Sequence, residues 1–150
     1  MKKLLTIIFV LTVAVSVSAA EKQQTFTGYL SDVLCGSTGY LDGYKGNEKF
    51  NLSVSPEKNN VMCLVMDNCK ATGYGMFIKQ KNGKYKFYKF DKKGSDMALK
   101  EILLPIKNQM EPAPYIEVKG SMKGNLITVT SIKKLASPAK VSDMKGHSTH

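Results

Sequence analysis

The sequence predicts a mainly β protein with one or two short helices, and three observations carry that expectation. Runs rich in β-branched and aromatic residues recur at residues 25–34, 76–80, 84–90, 115–120 and 125–133. Two pairs of these runs are joined by turn sequences, Lys81-Asn82-Gly83 and Met122-Lys123-Gly124. Asn-Gly between β-rich runs is the strongest short-range hairpin signal. Beyond residue 80, a single stretch places apolar residues at helical spacing: Met97, Leu99, Ile102, Leu103 and Ile106.

Residues 1–20 read as a secretory signal. Lys2 and Lys3 form a charged start, an apolar run follows from Leu4 to Val17, and Ser18-Ala19-Ala20 supplies the small residues of a cleavage site. The run is shorter than the ~20 residues of a spanning helix, and no cysteine follows it to carry a lipid. The expectation is therefore an exported chain starting at Glu21, in the periplasm or outside the cell, with no membrane span. The first strand, residues 25–34, carries Gly28 as a bend or bulge. An insertion at 36–73 comes next. Its first part, to Asn60, holds Gly36, Gly39, Gly43, Gly46 and Pro56 and reads as irregular. Its second part, 61–70, reads as a short helix capped by Gly73. After the first hairpin, Ser95 caps a helix over 96–108, thinned at its end by Pro105. The second hairpin follows a loop marked by Pro112 and Pro114. From residue 136 the composition turns to Ser, Pro, Lys, Gly and His without period, which predicts a disordered tail at 136–150.

One domain, 21–135, thus contains five strands, with a helix between the third and the fourth. That is the chain order of a five-stranded OB-fold-like Greek-key barrel, and closing the sheet hides the edges an exported β protein must protect.

The run Gly28-Tyr-Leu-Ser-Asp32-Val-Leu-Cys35-Gly36, then Cys63-x5-Cys69, Gly73-Tyr-Gly75, Tyr88-Lys-Phe90-Asp91 and Val118-Lys-Gly120, extends over most of residues 25–135. This pattern resembles a group of small exported bacterial OB-fold-like proteins of unassigned function. Members of that group often carry His four residues before the Cys-x5-Cys. Asn59 stands there in this chain, which removes the imidazole that a His-assisted metal site would use.

Removing Lys2 and Lys3 with the leader leaves 20 basic residues against 12 acidic ones, a net charge of +8. Every basic residue is Lys. Arg is the usual reader of phosphates and base edges, so its absence argues against a nucleic-acid partner, and the even spread of lysines suits a solvated monomer surface. An enzyme is disfavoured as well. The two histidines, His147 and His150, lie in the tail beside Met144, and Asp32, Glu48, Asp67 and Asp91 show no catalytic spacing. A ligand face is a further expectation. Tyr85 and Phe87 fall on one side of their strand, Tyr88 and Phe90 on the other, so one pair belongs to the core and the other could stack on a sugar or peptide.

The three cysteines, Cys35, Cys63 and Cys69, are the chemical focus. In a continuous helix over 61–70, Cys63 and Cys69 stand about 9 Å apart along the axis and about 120° apart around it, beyond the ~4.4–6.8 Å of disulfide Cα atoms. Cys35 would then bridge one of them, closing a loop of roughly 30 residues worth about 3–4 kcal/mol. On the same helix Met62, Met66 and Cys69 share a face. With Cys35 they form a soft donor set suited to Cu(I), although such Met stripes are more often core packing. Thiol redox chemistry is the third expectation, without a Cys-x-x-Cys to support it. The leading expectation is an exported accessory module of the envelope, holding a disulfide that includes Cys35 and needing no cofactor. Its ligand would be a small molecule, glycan or envelope protein, and the runner-up is a Cu(I)-binding protein.

Overall fold

The computed structural model describes residues 22–43 and 48–138. The expected leader, and the tail beyond residue 138 with His147 and His150, lie outside them. The chain is mainly β. Strand β1 (Gln24–Asp32) leads into helix α1 (Val33–Thr38), a small hairpin of β2 (Tyr40–Asp42) and β3 (Lys49–Asn51), and a 3-10 turn (Pro56–Lys58). Helices α2 (Val61–Leu64) and α3 (Asp67–Thr72) complete the insertion. Then come β4 (Tyr74–Lys79), β5 (Tyr85–Phe90), helix α4 (Lys92–Met97) running into a π-helical turn (Ala98–Leu103), β6 (Tyr115–Lys123) and β7 (Leu126–Lys134).

Five strands close on themselves in the order β1-β4-β5-β7-β6, with β6 pairing back onto β1. Four of the pairings are antiparallel; β5 and β7 run parallel through Lys89↔Leu126 and Phe90↔Ile127. β1 changes partner along its length, facing β6 from Gln24 to Tyr29 and β4 from Tyr29 to Asp32. Gly28 sits at that handover, where a Cβ would run into the Phe77 carbonyl, so the bend expected at this glycine answers to a close backbone approach. Inside the barrel, Leu30, Met76, Phe90, Ile116, Val118, Ile127 and Val129 form one core, closed at one end by Ala98, Ile102 and Leu103 and joined by Val61 and Leu64.

Tyr29 and Phe77 alternate with inward-facing Leu30 and Met76, yet they are only 2% exposed. The insertion packs over the outside of the β1-β4-β5 sheet and buries them. The first part of the insertion, to Asn60, is therefore not the irregular stretch expected: it contributes a hairpin, a 3-10 turn and the buried side chain of Leu52.

Three boundaries differ from expectation for identifiable reasons. β1 stops at Asp32 because its carboxylate caps α1, taking Val33 and Leu34 out of the strand. Residues 61–70 form two helices, since Met66 is extended (φ −63, ψ 146) and serves as the N-terminal flank of α3. The helix after β5 starts at Lys92, capped by Asp91 and not by Ser95. Asp91 Oδ1 accepts from Gly94 N at 2.9 Å and from Val129 N at 3.2 Å, while Ser95 Oγ accepts from Tyr74 N at 3.1 Å. The described chain thus holds four α-helices where one or two were expected. The expectations for both hairpin turns and for Gly73 at a helix end (φ 82) agree with the structure.

One carboxylate therefore ties α4 to the closing strand. Asp91→Ala should lower the unfolding free energy by about 2 kcal/mol, read from urea midpoints, with Asp91→Asn losing clearly less. Wild-type stability in Asp91→Ala would show that neither bond holds the helix to β7.

Candidate functional site

β1 delivers Asp32 to the junction of barrel and insertion, where it is 0% exposed. Its Oδ1 accepts from Cys35 N at 2.9 Å and its Oδ2 from Asn59 Nδ2 at 3.0 Å. The same Asn59 amide donates to Ser31 Oγ at 2.9 Å. Val33 N donates to Gly73 O at 2.9 Å, which ties the start of α1 to the end of α3.

Each of the three cysteines occupies the third position of a one-turn or slightly longer helix. Asp32 precedes Cys35, Asn60 precedes Cys63 and Met66 precedes Cys69, always by three residues. In the first two, the Asx side chain accepts from the cysteine's own N–H, at 2.9 Å for Asp32 and 3.0 Å for Asn60. In the third, Asn68 Oδ1 accepts from Cys69 N at 3.0 Å. In α1 and α2 the cap that starts the helix thus also sets its cysteine backbone.

The thiols form one electrostatic cluster around Asp32. Burial pushes the Cys35 thiol up to about 12, helped by the Asp32 charge, by Cys69, by a hydrogen bond to the Asp32 carboxylate and by Cys63. Burial likewise pushes Cys69 up to about 11, followed by the Asp32 charge, Cys63 and a hydrogen bond to Asp32. Tyr74, opposite Asp32 in the β1–β4 register, is raised by burial, then by Asp32 and Cys69; its hydroxyl donates to Leu64 O at 2.8 Å. Two thiols from different helices thus feel one carboxylate, and Cys63 is felt by both.

Asp32 has no cationic partner among the described residues. The ion pairs join Lys70 to Asp67, Lys92 to Asp96, Lys133 to Glu117 and Lys134 to Glu111, all remote from this corner except the exposed first. A buried carboxylate without a counter-charge is expensive unless hydrogen bonds hold it, and here the Cys35 N–H and the Asn59 amide do so. Asn59 is also 0% exposed, and its Oδ1 has no hydrogen-bond partner. Flipping the amide would turn that oxygen onto the carboxylate, so the charge of Asp32 fixes the orientation.

The other expected site residues are dispersed. Met66 is 50% exposed at the break between α2 and α3, so the face shared by Met62, Met66 and Cys69 does not form. Met62 is half-buried, its N–H on Gln109 O at 2.8 Å. The same break removes the helical separation of Cys63 from Cys69. No disulfide joins any of the three cysteines, and among the described residues no three Cys, His, Asp or Glu side chains already surround one metal position. Phe90 points into the barrel and Tyr88 packs against its core. On the outer face Phe87 lies 5.4 Å from Phe77, and Gly36 of α1 sits on its ring with no room for a Cβ. Tyr85 meets Tyr29 edge-on at 5.8 Å. The outer aromatic face is roofed by the insertion. Ser31 and Asn60 are the residues that sequence reasoning missed, and Asn59 entered it only as the place of an absent imidazole; the Asx-x-x-Cys spacing shared by Asp32/Cys35 and Asn60/Cys63 is the signal for Asn60.

No protein-family model, curated protein or solved structure matches the chain.

The thiols predict an alkaline weakness. Their folded values lie above the ordinary 9.0, so the unfolded chain releases these protons first and stability falls as pH rises from 9 towards 12. Urea midpoints at pH 8 and pH 10.5 should drop more for wild type than for Cys35→Ser or Cys69→Ser. Equal drops would show that folding does not raise the two thiols.

Proposed function

We propose that the chain is an exported, OB-fold-like accessory module of the cell envelope that binds a soft cation, Cu(I), at the Asp32 corner. The single observation that carries this reading is a buried carboxylate, without a cationic partner among the described residues, whose charge is felt by the thiols of Cys35 and Cys69 on two separate short helices, with Cys63 felt by both thiols. Thiolates are the preferred donors of Cu(I). A bound cation would also supply the counter-charge that Asp32 lacks. Binding would release the thiol protons to solvent and turn the sulfurs onto the ion by side-chain rotation. Cys35 and Cys69 are the principal donors and Cys63 the third sulfur in reach. Met66, exposed at the rim, is a thioether on the approach, outside the buried set. The OB-fold-like reading is supported by the cyclic strand order, by the parallel closing pair and by α4 between the third and fourth barrel strands. Stacking of a glycan or peptide on Tyr85 and Phe87 is the weaker option, because α1 covers that face.

A second reading has its own support. Cys35 and Cys69 share one acceptor, and exported chains meet oxidising surroundings, so a disulfide including Cys35 would cross-link α1 to α3. The raised thiol values slow uncatalysed exchange. Intact mass after alkylation under non-reducing conditions separates the two: three alkyl groups for the reduced, metal-stripped protein, against one alkyl group and the loss of two hydrogens for the bridged form.

Purified reduced protein should take up one Cu(I) in competition with a chromogenic Cu(I) chelator. Cys35→Ser and Cys69→Ser should each weaken that uptake at least 100-fold. Unchanged uptake in both variants would overturn the copper reading.

A further inference from the structure

We infer that one face of the small β2–β3 hairpin is a second binding site, separate from the Asp32 corner, which takes a neutral sugar ring stacked on Tyr40 beside Asp42 and Lys49. The site does not depend on copper binding. Gly39, with φ 74, ends α1 and sends the chain directly into β2. Tyr40 and Asp42 are two positions apart on that strand, so their side chains leave the same face, roughly 7 Å apart along it. The register sets Lys49 opposite Asp42 and Asn51 opposite Tyr40, which brings an aromatic ring, a carboxylate and an ammonium to one side. Leu41 and Phe50 take the other side. Thr38, Tyr40, Asp42 and Lys49 line a cleft of about 340 Å³. That is the small end of the roughly 300–1,000 Å³ of small-molecule sites, so the occupant is a small molecule or one unit of a longer chain.

The hairpin is fixed to the barrel beneath it. Leu52 N donates to Gly39 O at 2.8 Å, Tyr85 N donates to Ser53 O at 2.7 Å, and the Leu52 side chain is buried. Two polar groups of the cleft wall are already engaged: Asn51 Oδ1 accepts from Ser53 N and Ser53 Oγ, and Thr38 Oγ1 donates to Cys35 O. The other three groups are open. Tyr40 is 53% exposed, and among the described residues its ring meets neither another ring nor an ammonium. Asp42 and Lys49 face each other across the strands, yet the ion pairs among the described residues all lie elsewhere. This set selects its occupant by charge. An anion drawn to Lys49 meets the carboxylate of Asp42, whose Cβ stands about 5 Å from that of Lys49, and a cation drawn to Asp42 meets the ammonium. A neutral polyol escapes both penalties. One hydroxyl donates to the acceptor-only carboxylate and its neighbour accepts from the donor-only ammonium, while the C–H face of the ring covers the apolar face of Tyr40.

The probes are the methyl glycosides of glucose, galactose, mannose and N-acetylglucosamine, each titrated at millimolar concentration into isotope-labelled protein and followed by amide NMR. At least one should shift the amide signals of Tyr40, Asp42 and Lys49 along a saturable curve. Tyr40→Ala should weaken that binding about tenfold and Asp42→Asn about fivefold. Tyr40→Phe keeps the ring and should stay within about twofold of wild type. All three side chains of the site are exposed, so these variants keep the fold, which the dispersion of their amide spectra reports directly. No glycoside shifting these amides, or equal affinity in Tyr40→Ala, would overturn the site. Tighter binding of methyl glucuronide than of methyl glucoside, or of methyl glucosaminide than of its N-acetylated form, would overturn the selection for a neutral ring.

Discussion

The Asp32 carboxylate is the constraint on which the rest depends. It stops β1, starts α1 through the Cys35 N–H and fixes the amide of Asn59, and its charge is felt by the thiols of Cys35 and Cys69. Each bond is ordinary in strength, about 1–3 kcal/mol for a charged acceptor. Their value is collective, because a buried carboxylate that lost its donors would leave an unsolvated charge at the seam between barrel and insertion. That seam is held polar on one side by Ser31 and Asn59 and apolar on the other by Tyr74 and Leu64. The chemistry and the architecture therefore meet in the same few atoms.

The insertion changes what this barrel can present. The β1-β4-β5 sheet buries side chains on both of its faces, Leu30 and Met76 within and Tyr29 and Phe77 without. Gly36 and Gly75 both lie against the Phe87 ring, so helix and strand approach across that ring at distances no larger residue permits. A face that a bare barrel would offer to a ligand is spent on packing. The sulfur-lined edge of the insertion is what remains chemically distinctive.

The barrel itself was legible in the sequence because its signals are local. Asn82-Gly83 and Lys123-Gly124 mark two turns, and period-two patterning marks the strands between them. The sulfur corner was only half legible. Cys35, Cys63 and Cys69 stood out by type, but their geometry hung on residues 61–70 being one helix, and nothing in Leu64-Val65-Met66 announces a break. The extended backbone at Met66 is set by its surroundings: α2 is anchored through Val61 N and Met62 N to the loop at 109–111, and α3 through Gly73 to α1. Those anchors are long-range, so no window of sequence contains them. Asn59 stood out only as a position without an imidazole, and its bond to Asp32 was silent, since an Asn in a polar loop normally faces water. Asp91 displaced Ser95 as the cap because it also reaches Val129, 38 residues away.

The parallel β5–β7 pair has a consequence for how the molecule comes to be folded. Among the described residues β7 is the last strand and the only link between β5 and β6. The four earlier strands can form only an open, edge-exposed sheet while Leu126–Lys134 is missing. Closure is then a late, non-local event that waits on the final segment to be synthesised, with the slow kinetics that such distant pairings impose. A chain built this way stays threadable until its end is present, and then shuts in one step.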